Sequence, residues 1–240
     1  MNVLRKKLGV TLAVMTLSVV MFAVPLDAGA EMFSFEAVQD SFIDDNRPTI
    51  ALGLASSYTV RDLGAEIQHA IMSFDLSSLT GGPIAYAITS ATLRLGVPNN
   101  RAGGGTHSVY TLNVNFVENQ ATWNNRATAT PWTTAGGLSD AAVFATGVAH
   151  GDTLANGGAA WAGGGLDVAT QVSDWLAGTQ TVDLGFLVQT TSGLRSYDSR
   201  ESVNGGPTLD IEAFLVPEPG TAMLAGLGLL SLAARRRRSV

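Results

Sequence analysis

The chain repeatedly alternates apolar and polar residues with a period of two, and this pattern restricts its fold more than any other feature. In Tyr110–Phe116, apolar side chains alternate with Thr and Asn, and residues 70–76 and 209–215 repeat the pattern. Because successive side chains of a strand point to opposite faces, each stretch predicts a strand with one buried face and one wetter face.

Segments rich in glycine and asparagine separate these stretches from further strand candidates. The candidates are Phe33–Phe42, Ser57–Arg61, Ile88–Val97 and Leu184–Gln189, and the turn segments are 81–83, 99–100, 103–105, 163–165 and 204–207. Seven or more short strands joined by such turns predict an all-β fold, a jelly-roll-like antiparallel β-sandwich.

One segment has the helical period instead. Apolar residues recur at helical spacing in Asp167–Ala177, Asp167 is suited to cap the start, and Gly178 is suited to end the helix. We expect one short helix that closes one end of the sandwich, with Trp175 in the core.

The first 30 residues have the order of a secretory signal peptide. Arg5, Lys6 and Lys7 precede the apolar run 8–24, and Ala28-Gly29-Ala30 follows it. This order predicts cleavage by signal peptidase between Ala30 and Glu31. The alternative is an uncleaved anchor of about 17 residues, near the lower limit for spanning a membrane.

Residues 216–240 contain three short features in a fixed order. A tripeptide comes first, then the uncharged segment 220–234, then an arginine cluster; the motif residues are Pro217, Glu218, Pro219, Arg235, Arg236, Arg237 and Arg238. This order resembles the PEP-CTERM sorting tail of Gram-negative bacteria. As a hydrophobic sorting helix, 220–234 would reach about 22 Å, short of a hydrocarbon core of about 30 Å. The resemblance implies export, transient anchoring in the inner membrane, processing by an exosortase, and an organism that makes extracellular polysaccharide.

The segment between these ends, residues 31–215, is predicted to be one domain. Residues 31–216 carry seven arginines, no lysine and 18 acidic residues, a net charge of −11. This charge argues against a nucleic-acid partner, because phosphates require a basic face. The absence of cysteine from the chain excludes disulfides, thiolate zinc ligands and a thiol nucleophile. No nucleophile elbow, phosphate-binding loop or dinucleotide fingerprint occurs in the sequence.

The domain also resembles a known family over residues 33–214. The resemblance rests on Asp40–Asp44, Ser73–Leu79, Ile88–Leu95, Ala121–Arg126, the helical segment and Ser199-Arg200-Glu201. Together these pieces are similar to the DNRLRE domain, a β-sandwich module classed among carbohydrate-binding modules. The first loop departs from the family pattern, since residues 45–50 replace the usual Asn-Tyr-Gly turn.

Asp44, Asp45 and Asn46 form a compact group of oxygen ligands after a predicted strand. Because calcium takes six to eight such oxygens, this loop is a candidate calcium site. The alternative is an ordinary Asx turn.

Loop aromatic residues are the candidates for sugar stacking. Trp132 and Trp161 lie in predicted loops, and Tyr58 is the next candidate. Arg200 is a candidate for a forked bond to a sugar carboxylate, or alternatively for an ion pair within the domain. Packing beneath a loop is the alternative for each tryptophan.

These observations predict an exported, non-catalytic protein that binds extracellular polysaccharide or forms part of the exopolysaccharide matrix, in the cell envelope, at the cell surface or outside the cell. A polysaccharide lyase or hydrolase with scattered acids is one alternative, and a purely structural surface protein is another.

Overall fold

A computed structural model describes residues 29–80, 85–98, 106–149, 159–161, 168–178, 184–191, 193–216 and 226–229. The elements are β1 (Glu31–Glu36), β2 (Gln39–Asp44), β3 (Ser57–Asp62), β4 (Ile67–Phe74), β5 (Ala85–Leu95), β6 (Thr106–Leu112), β7 (Asn125–Ala127), β8 (Thr130–Pro131), β9 (Ala141–Ala149), β10 (Ala159–Trp161), α1 (Val168–Leu176), β11 (Leu184–Thr190), β12 (Gly193–Asp198) and β13 (Thr208–Val216).

The strands form two main antiparallel sheets. The four-stranded sheet has the order β1-β13-β5-β10, and the seven-stranded sheet has the order β12-β3-β4-β11-β6-β9 with β2 also paired to β4. The short strands β7 and β8 pair with each other. This arrangement confirms the prediction of an all-β antiparallel sandwich with one short helix.

The main core draws apolar side chains from both sheets. Leu93 and Ile211 enter it from the four-stranded sheet, and Met72, Phe74 and Phe186 enter it from the larger sheet. All five side chains are 0% exposed. The alternation therefore predicted the inward residues of 70–76 and 209–213 correctly. Leu215, which was also predicted to face inward, is only partly buried and is not part of the core.

A second core lies on the other face of the larger sheet. It is formed with residues 113–140, which we call the cap. From the cap, Phe116, Ala121 and Trp132 pack against Ile71 and Leu187 of the larger sheet. The expectation that this face of β4 is wet was therefore wrong. Because the sandwich covers one face and the cap covers the other, every residue from 68 to 74 is buried.

Two strand boundaries differ from the predictions. The stretch Phe33–Phe42 is two strands, because the backbone leaves one sheet for the other at Ala37 and Val38, whose N–H groups bond Pro207 and Ser73 respectively. The strand predicted over Tyr110–Phe116 ends at Leu112, since the chain after it turns into the cap.

The predicted helix is present as α1. Val168, Ala169 and Val172 are its buried residues, and α1 packs against β5. Gly178 adopts a φ of 72° and donates a hydrogen bond to the carbonyl of Trp175, which ends the helix as predicted. Trp175 is half-buried against the main core. The expected cap, Asp167, lies outside the described residues.

The terminal predictions fall mostly outside the described residues. Most of the expected signal peptide, 1–28, lies outside the described residues, and β1 begins at Glu31, the first residue after the expected cleavage. Residues 226–229 of the sorting segment form a helical turn. No helix among the described residues is long and apolar enough to span a membrane.

Candidate functional site

The Asp44 carboxylate accepts hydrogen bonds from three N–H groups. Its oxygens accept hydrogen bonds from the Asn46 amide at 2.9 Å and from Arg47 Nε and Gln68 Nε2 at 2.8 Å each. Burial alone would raise the pKa of Asp44, but the bonds from Arg47, Gln68 and the Asn46 amide hold it below its usual value. Asp45 accepts a bond from the Ile67 amide at 2.8 Å. This geometry is that of the Asx turn, which was the alternative to a calcium loop.

Two of the predicted sugar-stacking residues lie in the two cores. Trp132 is 4% exposed and donates from Nε1 to the carbonyl of Thr122 at 2.8 Å. Tyr58 is 2% exposed and packs against Tyr197 with 6.0 Å between the ring centroids, and this burial raises its pKa well above the usual value. The structure therefore shows the alternative for Trp132, packing beneath a loop, because the cap folds its own tryptophan inward. Tyr58 likewise presents no ring face to solvent.

Trp161 lies in a strand rather than in the predicted loop. It is the last residue of β10, the edge strand of the four-stranded sheet, and its backbone is paired with Leu93. Its side chain is outside the described part of the structure.

Arg200 makes ion pairs within the domain. Its NH2 group lies 2.8 Å from Glu118 Oε2 and 3.3 Å from Glu201 Oε1, and its side chain is 41% exposed. The alternative prediction for Arg200, an ion pair that ties down the last loop, is therefore confirmed.

These contacts belong to a cluster of acids that the sequence did not predict. Asp40, Glu118 and Glu201 each place a carboxylate oxygen within 4.8 Å of the others, and we call them the three-acid cluster. Asp40 lies in β2, Glu118 in the cap, and Glu201 in the turn after β12. Two members fall within pieces of the family resemblance, but nothing in the sequence around Glu118 distinguishes it from other surface acids.

Asp40 is held at the centre of this cluster. Its Oδ2 accepts a bond from the Arg200 amide at 2.8 Å, and its own amide donates to Glu118 Oε1 at 2.9 Å. Burial raises the pKa of Asp40 to about 7, and the charges of Glu201 and Glu118 act in the same direction. Asp40 is 0% exposed, so its carboxyl group is packed inside the protein.

The outward face of the four-stranded sheet carries polar side chains that bond one another across strands. Ser34 of β1 donates to Asp210 at 2.7 Å, Arg94 of β5 pairs with the same carboxylate, and Ser90 donates to Glu212 at 3.1 Å. The positions alternate with the buried residues of β13, and Ser34, Ser90 and Arg94 are exposed. We call these five residues the polar face.

Comparison with known families supports a carbohydrate-binding-module-like domain. Residues 31–143 match carbohydrate-binding module family 96, and residues 215–238 match the PEP-CTERM protein-sorting motif. The chain therefore carries a carbohydrate-binding-module-like domain followed by a PEP-CTERM tail, which confirms that part of the prediction. The resemblance to the DNRLRE domain stays a prediction. No curated protein matches the chain.

The family match stops short of the complete fold. It covers β1 to the start of β9, whereas β11, β12 and β13 lie beyond residue 143 and supply strands to both sheets. The PEP-CTERM motif implies export to the cell envelope or surface.

Proposed function

We propose that this protein is an exported, non-catalytic polysaccharide-binding protein of the cell surface or the exopolysaccharide matrix. The observation that carries the proposal is the presence of a carbohydrate-binding-module match and a PEP-CTERM match in one chain. The first supports a polysaccharide ligand, and the second supports delivery of the domain to the compartment where such a polymer lies.

The route of export rests on both ends of the chain. Signal peptidase is proposed to cut between Ala30 and Glu31, which would leave β1 at the new N-terminus. The segment 220–234 would then anchor the protein transiently in the inner membrane until an exosortase processes the tail. N-terminal sequencing of the exported protein should find Glu31 first, whereas Met1 on that form would contradict the proposal. Deletion of 235–238 should change the partition between membrane and medium, and an unchanged partition would count against sorting.

The polar face is the surface that we propose for polysaccharide. Serine hydroxyls, carboxylates and a guanidinium are all able to exchange hydrogen bonds with sugar hydroxyls. Trp161, the last residue of β10 at one edge of the same sheet, remains the proposed stacking residue. Its backbone partner is the inward-facing Leu93, so this proposal is separate from that of the polar face. The other two stacking candidates, Trp132 and Tyr58, would have to leave a core to reach a sugar.

Charge favours a neutral polymer. Among the described residues, the exposed arginines Arg47, Arg94 and Arg200 are each paired with an acid of the domain. An anionic polymer would meet the net negative charge of residues 31–216 and would have to displace those acids from the arginines.

The three-acid cluster is not proposed as a catalytic site. A pKa of about 7 would suit a general acid, as in glycosidases. However, Asp40 is completely buried, and a glycosidic oxygen has to contact the acid that protonates it. We therefore propose binding without cleavage. Release of reducing ends from a panel of neutral and acidic polysaccharides should stay at the level of a buffer control, and release by the wild-type protein would overturn this part.

Affinity electrophoresis of variants tests the binding face. Arg94→Ala should weaken the retardation by a polysaccharide that retards the wild type, because Arg94 lies on the polar face. Trp161→Ala tests the separate proposal that Trp161 stacks on a sugar. Arg61→Ala is the matched control, since Arg61 also makes a surface ion pair, with Glu66, but in the β3–β4 hairpin. Equal affinity of all three variants would show that the polysaccharide binds elsewhere.

A further inference from the structure

We propose that the three-acid cluster is a binding site for a divalent cation, and that calcium is the cation that fits it. The site differs from the loop Asp44–Asn46, whose buried carboxylate is bonded to N–H groups. It does not depend on the proposed polysaccharide function.

The spacing of the oxygens matches the size of calcium. Calcium binds oxygen at about 2.3–2.6 Å, so two ligands on opposite sides of the ion lie about 5 Å apart. The oxygens of Asp40, Glu118 and Glu201 lie within 4.8 Å of one another, so that one ion is able to contact all three. Magnesium demands near-ideal octahedral geometry and retains most of its water, which suits a group of three protein carboxylates less well.

Two oxygens of the cluster lack a partner among the described residues. Asp40 Oδ1 and Glu201 Oε2 are both buried and accept no hydrogen bond there. Because a buried polar atom without a partner is costly, these oxygens require a partner, and a bound cation would supply one to both. The Asp40 side chain is 0% exposed and its Oδ2 accepts the bond from the Arg200 amide, so Oδ1 is the oxygen that is left to bind an ion.

The net negative charge of the three-acid cluster also favours binding of a cation. Three carboxylates meet one guanidinium, that of Arg200, which contacts Glu118 and Glu201. When all three acids are ionised, the group carries a net charge of −2. Buried charges of one sign are stable only when paired or bound to a metal, and a divalent ion would neutralise this group completely.

The ion would link three distant parts of the chain. It would join β2, the cap and the turn after β12, and these are segments that already meet through the bonds of Asp40 to Glu118 and Arg200. Since these contacts form only on folding, calcium should stabilise the folded state selectively.

Calcium titration of the full chain after treatment with EDTA tests the proposal. Isothermal titration calorimetry should show one site, and Tm should rise by about 5–10 °C when calcium is a hundredfold above its Kd. Asp40→Asn and Glu201→Gln should each weaken binding at least about tenfold and reduce the rise in Tm. The second variant changes a side chain that is partly exposed, so it keeps the test valid if the first fails to fold.

Asp44→Asn is the matched control, because Asp44 is a buried aspartate at the other end of the same strand. It should lower the stability while leaving the calcium affinity unchanged. Three outcomes would overturn the proposal: no heat and no shift in Tm with millimolar calcium, a response abolished by Asp44→Asn but not by the cluster variants, or a response to magnesium without one to calcium.

Discussion

Single residues of the cap region show how burial decides what a side chain is able to do. Trp132 and His69 lie on the two sides of the contact between the cap and the larger sheet. The indole of Trp132 bonds Thr122 within the cap, and His69 on β4 bonds the carbonyl of Gly136 through Nδ1 at 2.8 Å. Because a carbonyl only accepts, Nδ1 carries the proton, and both residues attach the cap to the sheet.

Trp132→Ala should destabilise the protein without weakening its intrinsic affinity for polysaccharide. The indole is 4% exposed, so its removal leaves a cavity and should cost about 3–5 kcal/mol of unfolding free energy. Trp132→Phe, which fills part of the space but loses the bond to Thr122, should cost less. Urea unfolding measures both changes. An unchanged urea midpoint for Trp132→Ala combined with lost polysaccharide affinity would contradict this prediction and would show that Trp132 contacts the polysaccharide.

His69 should make the protein less stable in acid. Burial lowers the pKa of His69 below its usual 6.5, while hydrogen bonding to Gly136 and the charges of Asp62 and Asp45 oppose the shift. Below pH 6.5 the unfolded chain therefore binds a proton that the folded chain does not, so this contribution is complete above pH 6.5 and is lost as the pH falls.

The comparison of wild type with His69→Gln isolates this effect from other titrating groups. The free energy of unfolding should drop more between pH 7.5 and pH 5.5 in the wild type than in the variant. Glutamine retains an N–H donor for the Gly136 carbonyl. An equal drop in the two proteins would show that His69 titrates alike in the folded and unfolded states.

At the scale of elements, β4 is the central strand of the molecule. It pairs with β2, β3 and β11, and its two faces contribute to the two cores. Phe74 is its most deeply placed aromatic residue, packed edge-on against Phe186 with centroids 5.9 Å apart.

Phe74→Ala should cost about 3–5 kcal/mol, because a fully buried ring leaves a cavity that neighbours fill only partly. Phe214→Ala is the control, since Phe214 is also a strand phenylalanine but is 38% exposed. Its cost should be clearly smaller. Chemical denaturation with urea measures both, and equal costs would contradict the assignment of Phe74 to the core.

The elements were predictable because their signals are local. Alternation predicted the inward residues of β4 and β13, and the helical spacing after Asp167 predicted α1. The second core was not predictable in this way. Ile71 alternates with inward residues, so the pattern predicts that it faces solvent. It is buried because the cap, which is distant in sequence, packs against it. The same packing buries Trp132, which has the sequence context of a loop residue.

At the scale of the whole molecule, the three-acid cluster was the part of the structure that the sequence predicted least well. The three-acid cluster depends on contacts such as the bond between Asp40 and Arg200, which are 160 residues apart. Such contacts are set by the topology of the two sheets. The sorting tail was easier to predict from the sequence, because its motif is continuous in the chain. The match to residues 215–238 confirmed this prediction.

Affinity electrophoresis of the full chain through native gels that contain neutral or acidic extracellular polysaccharides tests the central claim most directly. The protein should be retarded by at least one neutral polymer. The retardation should change little when salt is raised to shorten the screening length below about 10 Å, since hydrogen bonding and stacking carry the binding rather than long-range charge. Unretarded migration through every polymer would contradict the claim that this protein binds polysaccharide.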